Sequence, residues 1–124
     1  MSATILVVED ESIVQLDLQQ RLERMGYSVV GFASRGEEAV AKAIELQPDL
    51  VIMDVSLEGP MNGIEAARHI RAVQDTPVIY VTAYAAALDV AELLGAVGPC
   101  LSKPFRTTEL QSTVARTLGR GGES

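Results

Sequence analysis

Leu50-Val51-Ile52-Met53-Asp54 is the stretch that decides the fold of this chain. Four consecutive apolar residues predict a short strand that is buried on both faces, as the strands of a parallel sheet are. The run ends on a carboxylate and leads into a loop that reaches Gly63. In an open α/β sheet, functional groups collect just beyond the carboxyl ends of the strands. Asp54 is therefore a candidate functional residue, although an aspartate in this position is more often a turn former.

Length and composition indicate one acidic domain. The chain has 124 residues, 48% of them hydrophobic, and a net charge of −7. This excess of negative charge argues against direct binding to nucleic acid or to an anionic membrane surface. No apolar run is long enough to span a membrane, no signal-peptide pattern is visible, and one cysteine cannot form an internal disulfide. We expect a single domain over residues 1–124, located in the cytoplasm.

The apolar patterns alternate between strand and helix along the whole chain. Short apolar runs predict five strands, at Ile5–Val8, Val29–Ala33, Leu50–Asp54, Val78–Val81 and Cys100–Ser102. Apolar residues at helical spacing predict five helices, at residues 13–25, 34–46, 64–76, 84–94 and 107–118. Strict alternation with short connections is typical of a doubly wound α/β sheet with right-handed crossovers. Residues 119–124 are predicted to form a flexible tail.

Several local features carry more specific predictions. Ser34 with Glu37 three residues later has the pattern of a capping box that opens the second helix. The apolar residues of that helix are Val40, Ala43 and Ile44. Cys100 is expected to be a small core residue, because no cationic helix start activates its thiol. Helical phase places His69, the only histidine, in solvent, and a lone histidine does not make a metal site.

Polar residues stand at the ends of four of the five predicted strands. They are the pair Glu9-Asp10, then Asp54, Thr82 and Lys103. Taken singly, each has an ordinary explanation: a charge at a helix start, a turn former, a strand-end hydroxyl or a solvated amine. Parallel strands, however, bring their carboxyl ends to one edge of the sheet, so the fold would gather all four positions at one place.

The gathered groups suit phosphoryl transfer. Clustered carboxylates repel one another unless a cation lies between them, and oxygen-only ligands suit Mg²⁺. Asp54 could then attack a phosphorus atom, as carboxylate nucleophiles do in aspartyl-phosphate chemistry. Lys103 would supply a second positive charge, and the Thr82 hydroxyl could donate a hydrogen bond to a phosphoryl oxygen.

The order Glu9-Asp10, Asp54, Thr82-Ala83 and Lys103-Pro104-Phe105 resembles the receiver domain of two-component response regulators. The resemblance covers residues 4–118. It implies a flavodoxin-like, five-stranded sheet ordered 2-1-3-4-5. It also implies a phosphorylatable signalling domain that is not an enzyme beyond its own phosphorylation and dephosphorylation. Receivers usually have a cis peptide after the lysine, so the resemblance also implies one at Lys103-Pro104.

The resemblance also assigns roles and partners. Asp54 would be the phosphoacceptor, and Glu9, Asp10, Asp54 and the backbone carbonyl of Ser56 would hold Mg²⁺. The phosphoryl donor would be a histidine kinase or a histidine phosphotransfer protein. A downstream protein target or output domain would bind the face formed by the fourth predicted helix, the last strand and the last helix. A weak homodimer is also consistent with the resemblance.

Two positions depart from the family pattern. Receivers usually carry tyrosine or phenylalanine three residues before the lysine, as an aromatic switch that moves together with the threonine. Here that position is Cys100, so Tyr84, two residues after Thr82, is proposed as a substitute. The loop from Asp54 to Gly63 is also one residue longer than the commonest pattern.

Two other functions on the same fold stay open at this point. One is a small flavodoxin-like carrier that binds FMN, and the other is a Mg²⁺-dependent phosphatase that uses aspartyl-phosphate chemistry. A phosphate-binding loop after the first strand would favour glycine, serine and threonine, whereas this chain has Glu9-Asp10-Glu11. A phosphatase would need a general acid beside Asp54 and a substrate-selecting cap, and neither is visible in the sequence.

Overall fold

The computed structural model describes residues 2–83 and 98–122. The strands are β1 (Thr4–Val8), β2 (Ser28–Ala33), β3 (Leu50–Asp54), β4 (Val78–Thr82) and β5 (Cys100–Ser102). The helices are α1 (Ser12–Arg24), α2 (Gly36–Leu46), α3 (Gly63–Val73) and, numbered within this described part, α4 (Thr107–Gly122). The predicted helix 84–94, with the proposed switch residue Tyr84, lies outside the described residues.

The five strands form one parallel sheet in the order β2-β1-β3-β4-β5. The flavodoxin-like doubly wound architecture is therefore confirmed. The register aligns Val8 of β1 with Met53 of β3, and Asp54 of β3 with Val81 of β4. Because neighbouring strands end at matching positions, the residues that follow them meet at one edge of the sheet.

Alternate residues of β1, β3 and β4 supply two separate cores, one on each face of the sheet. On one face, Leu6, Met53 and Tyr80 pack with the buried residues of α2 and α3. On the other face, Ile52 and Val81 pack with the buried residues of α1 and α4. Burial on both sides explains why β1, β3 and β4 are almost continuously apolar.

Helix α3 begins at a capping box that was not predicted from the sequence. The Asn62 side chain accepts a hydrogen bond from the Glu65 N–H at 2.9 Å, and the Glu65 side chain accepts one from the Asn62 N–H at 3.2 Å. The capping box predicted at Ser34 and Glu37 was wrong. The extended residue before α2 is Arg35, one position later, so it is Glu38 that accepts a hydrogen bond from the Ser34 N–H.

Among the other local predictions, some were confirmed and others were wrong. His69 is exposed, as predicted. Ile44 is 45% exposed and Cys100 is exposed, so neither is a core residue. Residues 119–122, predicted as part of a flexible tail, continue α4. Within the described residues, no helix combines the length and the apolar character that crossing a bilayer requires.

Candidate functional site

Three carboxyl groups meet at the carboxyl edge of the sheet. Each of Glu9, Asp10 and Asp54 offers an oxygen that lies within 4.8 Å of the others. Glu9 and Asp54 are 1% and 5% exposed, while Asp10 is half-buried. Burying clustered carboxylates is costly unless cations or hydrogen bonds compensate their charge. The arrangement is therefore a candidate cation site with oxygen ligands only.

The Asp54 carboxylate is held by a donor at each oxygen. The Ser56 N–H donates to Oδ1 at 3.0 Å, which closes a short turn immediately after β3. The Lys103 ammonium donates to Oδ2 at 3.3 Å. Two donors restrict rotation of the carboxylate about its side-chain bonds. Asp54 is thus oriented before any reactant approaches it.

Glu9 is tied into the structure through both its backbone and its side chain. Its N–H donates to the carbonyl of Ala33 at 2.9 Å, and its own carbonyl accepts from the Gln15 side chain at 2.6 Å. Carboxyl oxygen Oε1 accepts from the Glu11 N–H at 3.3 Å, and Oε2 accepts from the Lys103 ammonium at 2.9 Å. These contacts hold Glu9 at the edge of the sheet, beside Asp54.

Lys103 bridges the two buried carboxylates. Its backbone N–H donates to the Thr82 carbonyl at 2.8 Å, which fixes the residue at the end of β5. The Lys103-Pro104 peptide is cis, as predicted. Burial lowers the pKa of Lys103, but the hydrogen bond to Glu9 and the charge of Asp54 outweigh it and raise that pKa above its ordinary value. Lys103 therefore carries a positive charge at neutral pH.

Glu9 is the group whose titration the site changes most clearly. Burial raises the pKa of its carboxyl to about 7, with the nearby Asp54 charge adding to the rise and the Lys103 ammonium opposing it. A carboxyl with a raised pKa in the folded state binds its proton more tightly when folded than when unfolded. Its contribution to stability is full below its unfolded pKa and is lost as pH rises toward the folded value.

We expect this loss to be measurable in the chain without divalent cations. Between about pH 5 and about pH 8, wild type should lose stability relative to Glu9→Gln by on the order of 2 kcal/mol, because the amide carries no charge to ionise. Urea unfolding in EDTA at the two pH values measures the difference. Glu45→Gln, at an exposed position on α2, should follow wild type at both. A parallel pH dependence of wild type and Glu9→Gln would contradict the raised pKa.

The loop after β3 returns close to Asp54 at Gly63. The Gly63 N–H donates to the Val55 carbonyl at 3.0 Å. A Cβ atom at this glycine would lie 2.1 Å from the backbone oxygen of Asp54. Only glycine allows so close a backbone approach, so Gly63 lets α3 begin directly against the end of β3. This role of Gly63 was not predicted from the sequence.

The remaining predicted site residues have distinct positions. Thr82 is fully buried at the end of β4, next to Lys103 through its carbonyl. Ser56 is exposed and contacts Asp54 through its N–H, whereas the sequence prediction concerned its carbonyl. In the parallel pairing of β4 with β5, Cys100 lies opposite Tyr80, and the next residues, Leu101 and Val81, lie opposite each other. Although Cys100 is exposed, partial desolvation by the surrounding protein raises the pKa of its thiol.

Comparison with known proteins places this geometry among signalling domains. Residues 5–115 match the model of the response regulator receiver domain family. The chain is 36% identical over 118 residues to the transcriptional regulatory protein PdtaR of Mycobacterium tuberculosis, covering 94% of this chain and 57% of that protein. The chain thus spans about half the length of curated relatives such as this one.

Solved structures agree with the sequence matches. The receiver domain of the sensor histidine kinase PA1611 from Pseudomonas aeruginosa superposes with a TM-score of 0.86 at 33% identity, over 96% of this chain and 99% of that one. That domain was solved with a magnesium ion coordinated in its active site cleft. The receiver domain of the response regulator PhyR from Erythrobacter litoralis gives a TM-score of 0.85 at 27% identity, over 95% and 91% of the two chains.

Proposed function

The chain belongs to the response regulator receiver domain family, and on that premise we propose that Asp54 is its phosphoacceptor. The observation that carries the proposal is the placement of the Asp54 carboxylate, which lies among two further carboxyl groups and is contacted by the Lys103 ammonium. An aspartate so placed is oriented, and its surroundings can neutralise the charge of an incoming phosphoryl group.

The proposed reaction is a displacement at phosphorus. A carboxylate oxygen of Asp54 forms the new O–P bond while the bond from phosphorus to the donor's leaving group breaks, and the leaving group takes the electron pair. Phosphoryl transfer depends mainly on positioning and charge neutralisation. The Ser56 N–H and the Lys103 ammonium supply the positioning of Asp54. Lys103, which already contacts Glu9 and Asp54, would donate a further hydrogen bond to a phosphoryl oxygen.

The donor set fits Mg²⁺. The three carboxyl groups are oxygen ligands, and their burial beside one ammonium leaves negative charge that a divalent cation would compensate. We propose that Glu9, Asp10 and Asp54 hold the cation, with the Ser56 carbonyl as a further ligand. When bound, the cation supplies charge neutralisation between the acceptor carboxylate and the phosphoryl group.

We extend the proposal to the response that follows phosphorylation. The buried Thr82 hydroxyl would hydrogen-bond the new phosphoryl group, and Lys103 would pair with its charge. The partners would be a histidine kinase or phosphotransfer protein as donor, and a target or output domain on the face that includes β5 and α4. The chain would act as a single domain whose only catalysed reactions are its own phosphorylation and dephosphorylation. A cytoplasmic location and a weak homodimer stay predictions.

The two alternative functions are less well supported. An FMN carrier would place a phosphate near the end of β1, where Glu9 is buried and Asp10 is half-buried. Two carboxylates there would repel a phosphate. The matched family consists of signalling domains, and its model covers most of this chain. Neither the flavin carrier nor a phosphatase for external substrates is therefore favoured.

The test is phosphorylation by a small acyl phosphate such as acetyl phosphate. We expect the wild-type chain to gain the mass of one phosphoryl group with Mg²⁺ and to remain unmodified in EDTA. Intact-protein mass spectrometry measures the gain, and hydroxylamine should remove it because the product is an acyl phosphate. A chain that stays unmodified with Mg²⁺, or that is modified equally in EDTA, would refute the proposed function.

A further inference from the structure

Arg21 joins helix α1 to the segment that carries Lys103. Its guanidinium donates a hydrogen bond to the backbone carbonyl of Phe105 at 3.3 Å. The guanidinium carbon also lies 5.6 Å from the centre of the Phe105 ring, within the range of a cation–π contact. Asp17, one turn earlier on α1, forms an ion pair with Arg21, in which the carboxylate lies 3.2 Å from Nε. One side chain thus holds both the backbone and the ring of Phe105.

Hydrogen bonds hold both ends of the segment 103–106. At its start, the Lys103 N–H donates to the Thr82 carbonyl, and at its end the Arg106 N–H donates to the Glu109 side chain at 3.1 Å. Beside Phe105, a cavity of about 370 Å³ lies between part of the segment and α1, lined by residues that include Val14, Lys103 and Phe105. Phe105 itself packs at the margin of the core that the sheet forms with α1 and α4, so its ring is the anchor in the middle of the segment.

We propose that Arg21 is a positioning residue for phosphoryl transfer, which holds Phe105 and thereby fixes the Lys103 ammonium beside Asp54. The inference rests on the proposed function of Asp54. Arg21 lies outside the carboxylate cluster and acts through Lys103, two residues before the carbonyl that it binds. Because the cavity leaves space for the segment to move, loss of Arg21 lets Lys103 leave its bridging position.

The guanidinium group is needed for this role, since a positive charge alone does not reproduce its contacts. A planar guanidinium can donate to a carbonyl, pair with Asp17 and stack on an aromatic ring at the same time. A lysine ammonium keeps the charge at the end of α1 but lacks the planar surface and the fork of donors. Arg21→Lys should therefore behave like Arg21→Ala in phosphorylation, although it preserves the net charge.

The experiment measures the rate of Asp54 phosphorylation by acetyl phosphate at saturating Mg²⁺. We expect Arg21→Ala and Arg21→Lys to react about tenfold more slowly than wild type, within the range that small misplacements of a catalytic group produce. Arg24→Ala is the matched control, because Arg24 is an exposed arginine in the same last turn of α1. It should react at the wild-type rate.

A double-mutant cycle separates positioning from a general structural effect. If Arg21 acts through Lys103, Arg21→Ala should cause no further loss in a Lys103→Ala background. Equal losses in both backgrounds would overturn the proposal, as would a wild-type rate in Arg21→Ala or full rescue by Arg21→Lys.

An NMR measurement on the unphosphorylated chain distinguishes failure of the Arg21 proposal from failure of the proposed function of Asp54. In two-dimensional NMR of the unphosphorylated chain, the amide signals of Lys103, Phe105 and Arg106 should shift in Arg21→Ala and stay in place in Arg24→Ala. Unchanged signals in Arg21→Ala would overturn the inference whatever the reactivity of Asp54. If the amide signals shift in Arg21→Ala as expected while wild type is not phosphorylated, the proposed function of Asp54 fails, but the structural role of Arg21 stands.

Discussion

Replacement of Asp54 by asparagine is expected to abolish phosphorylation by acetyl phosphate in Mg²⁺, with a loss of at least about a thousandfold, as expected when a nucleophile is removed. The amide is nearly the same size as the carboxylate, and its carbonyl oxygen can still accept the hydrogen bond from the Ser56 N–H. Its nitrogen and oxygen carry no charge with which to attack phosphorus. The variant should therefore fold but not react.

The control for this prediction is a second aspartate outside the site. Asp75 is exposed in the segment between α3 and β4. Asp75→Asn makes the same chemical change and the same change in net charge. It should be phosphorylated at the wild-type rate, as followed by intact-protein mass spectrometry. Equal labelling of Asp54→Asn and wild type would show that the phosphoryl group is attached elsewhere.

The second large effect concerns Gly63. Alanine there would place Cβ 2.1 Å from the Asp54 backbone oxygen and 2.9 Å from the Met53 side chain. The nearer obstacle is backbone, so β3 or the start of α3 has to move. We expect Gly63→Ala to lower the free energy of unfolding by on the order of 3 kcal/mol, as overpacking of a buried site does. Urea unfolding measures the loss, and slower phosphorylation should accompany it because Asp54 is displaced.

The same substitution at Gly119 is the matched control. Gly119 lies within α4, and a Cβ atom there would meet nothing within 4 Å. Gly119→Ala should be neutral or stabilising by up to about 1 kcal/mol, because alanine favours helix and restricts the unfolded chain. If both variants were equally stable, the close approach at Gly63 would not be the constraint that the structure indicates.

The sheet and the carboxyl edge could be predicted because their signals are local in the sequence. A strand buried on both faces is an uninterrupted apolar run, and β3 is such a run in which only the last residue, Asp54, is polar. Once parallel strands are inferred, topology alone brings Glu9, Asp54 and Lys103 to one edge. The structure places these side chains together, with Lys103 in contact with both carboxylates.

The wrong predictions came from local patterns that tertiary structure overrode. Cys100 follows a proline in an apolar context, but β5 has only three residues and alternates, so Leu101 is buried while Cys100 and Ser102 are exposed. Ser34 and Glu37 match the spacing of a capping box, but α2 begins at Gly36, so Ser34 does not stand directly before the helix. The same rule applied to Asn62 and Glu65 would have found the capping box that exists.

Two contacts could not be read from the sequence because they join distant segments. The Gly63 approach depends on how the loop after β3 returns, and a glycine before a helix has no distinctive signal. Arg21 meets Phe105 only because α1 packs beside the end of β5, although the Asp17 and Arg21 spacing on one helix face was visible. Both contacts support the site from outside its charged cluster.

The central claim is that Asp54 accepts a phosphoryl group in a reaction that needs a divalent cation. Peptide mass mapping of the wild-type chain after reaction with acetyl phosphate, with Mg²⁺ and separately in EDTA, tests it most directly. We predict one phosphoryl group on Asp54 with Mg²⁺ and none in EDTA. A phosphoryl group on any other residue, or equal modification of Asp54 in EDTA, would contradict the account.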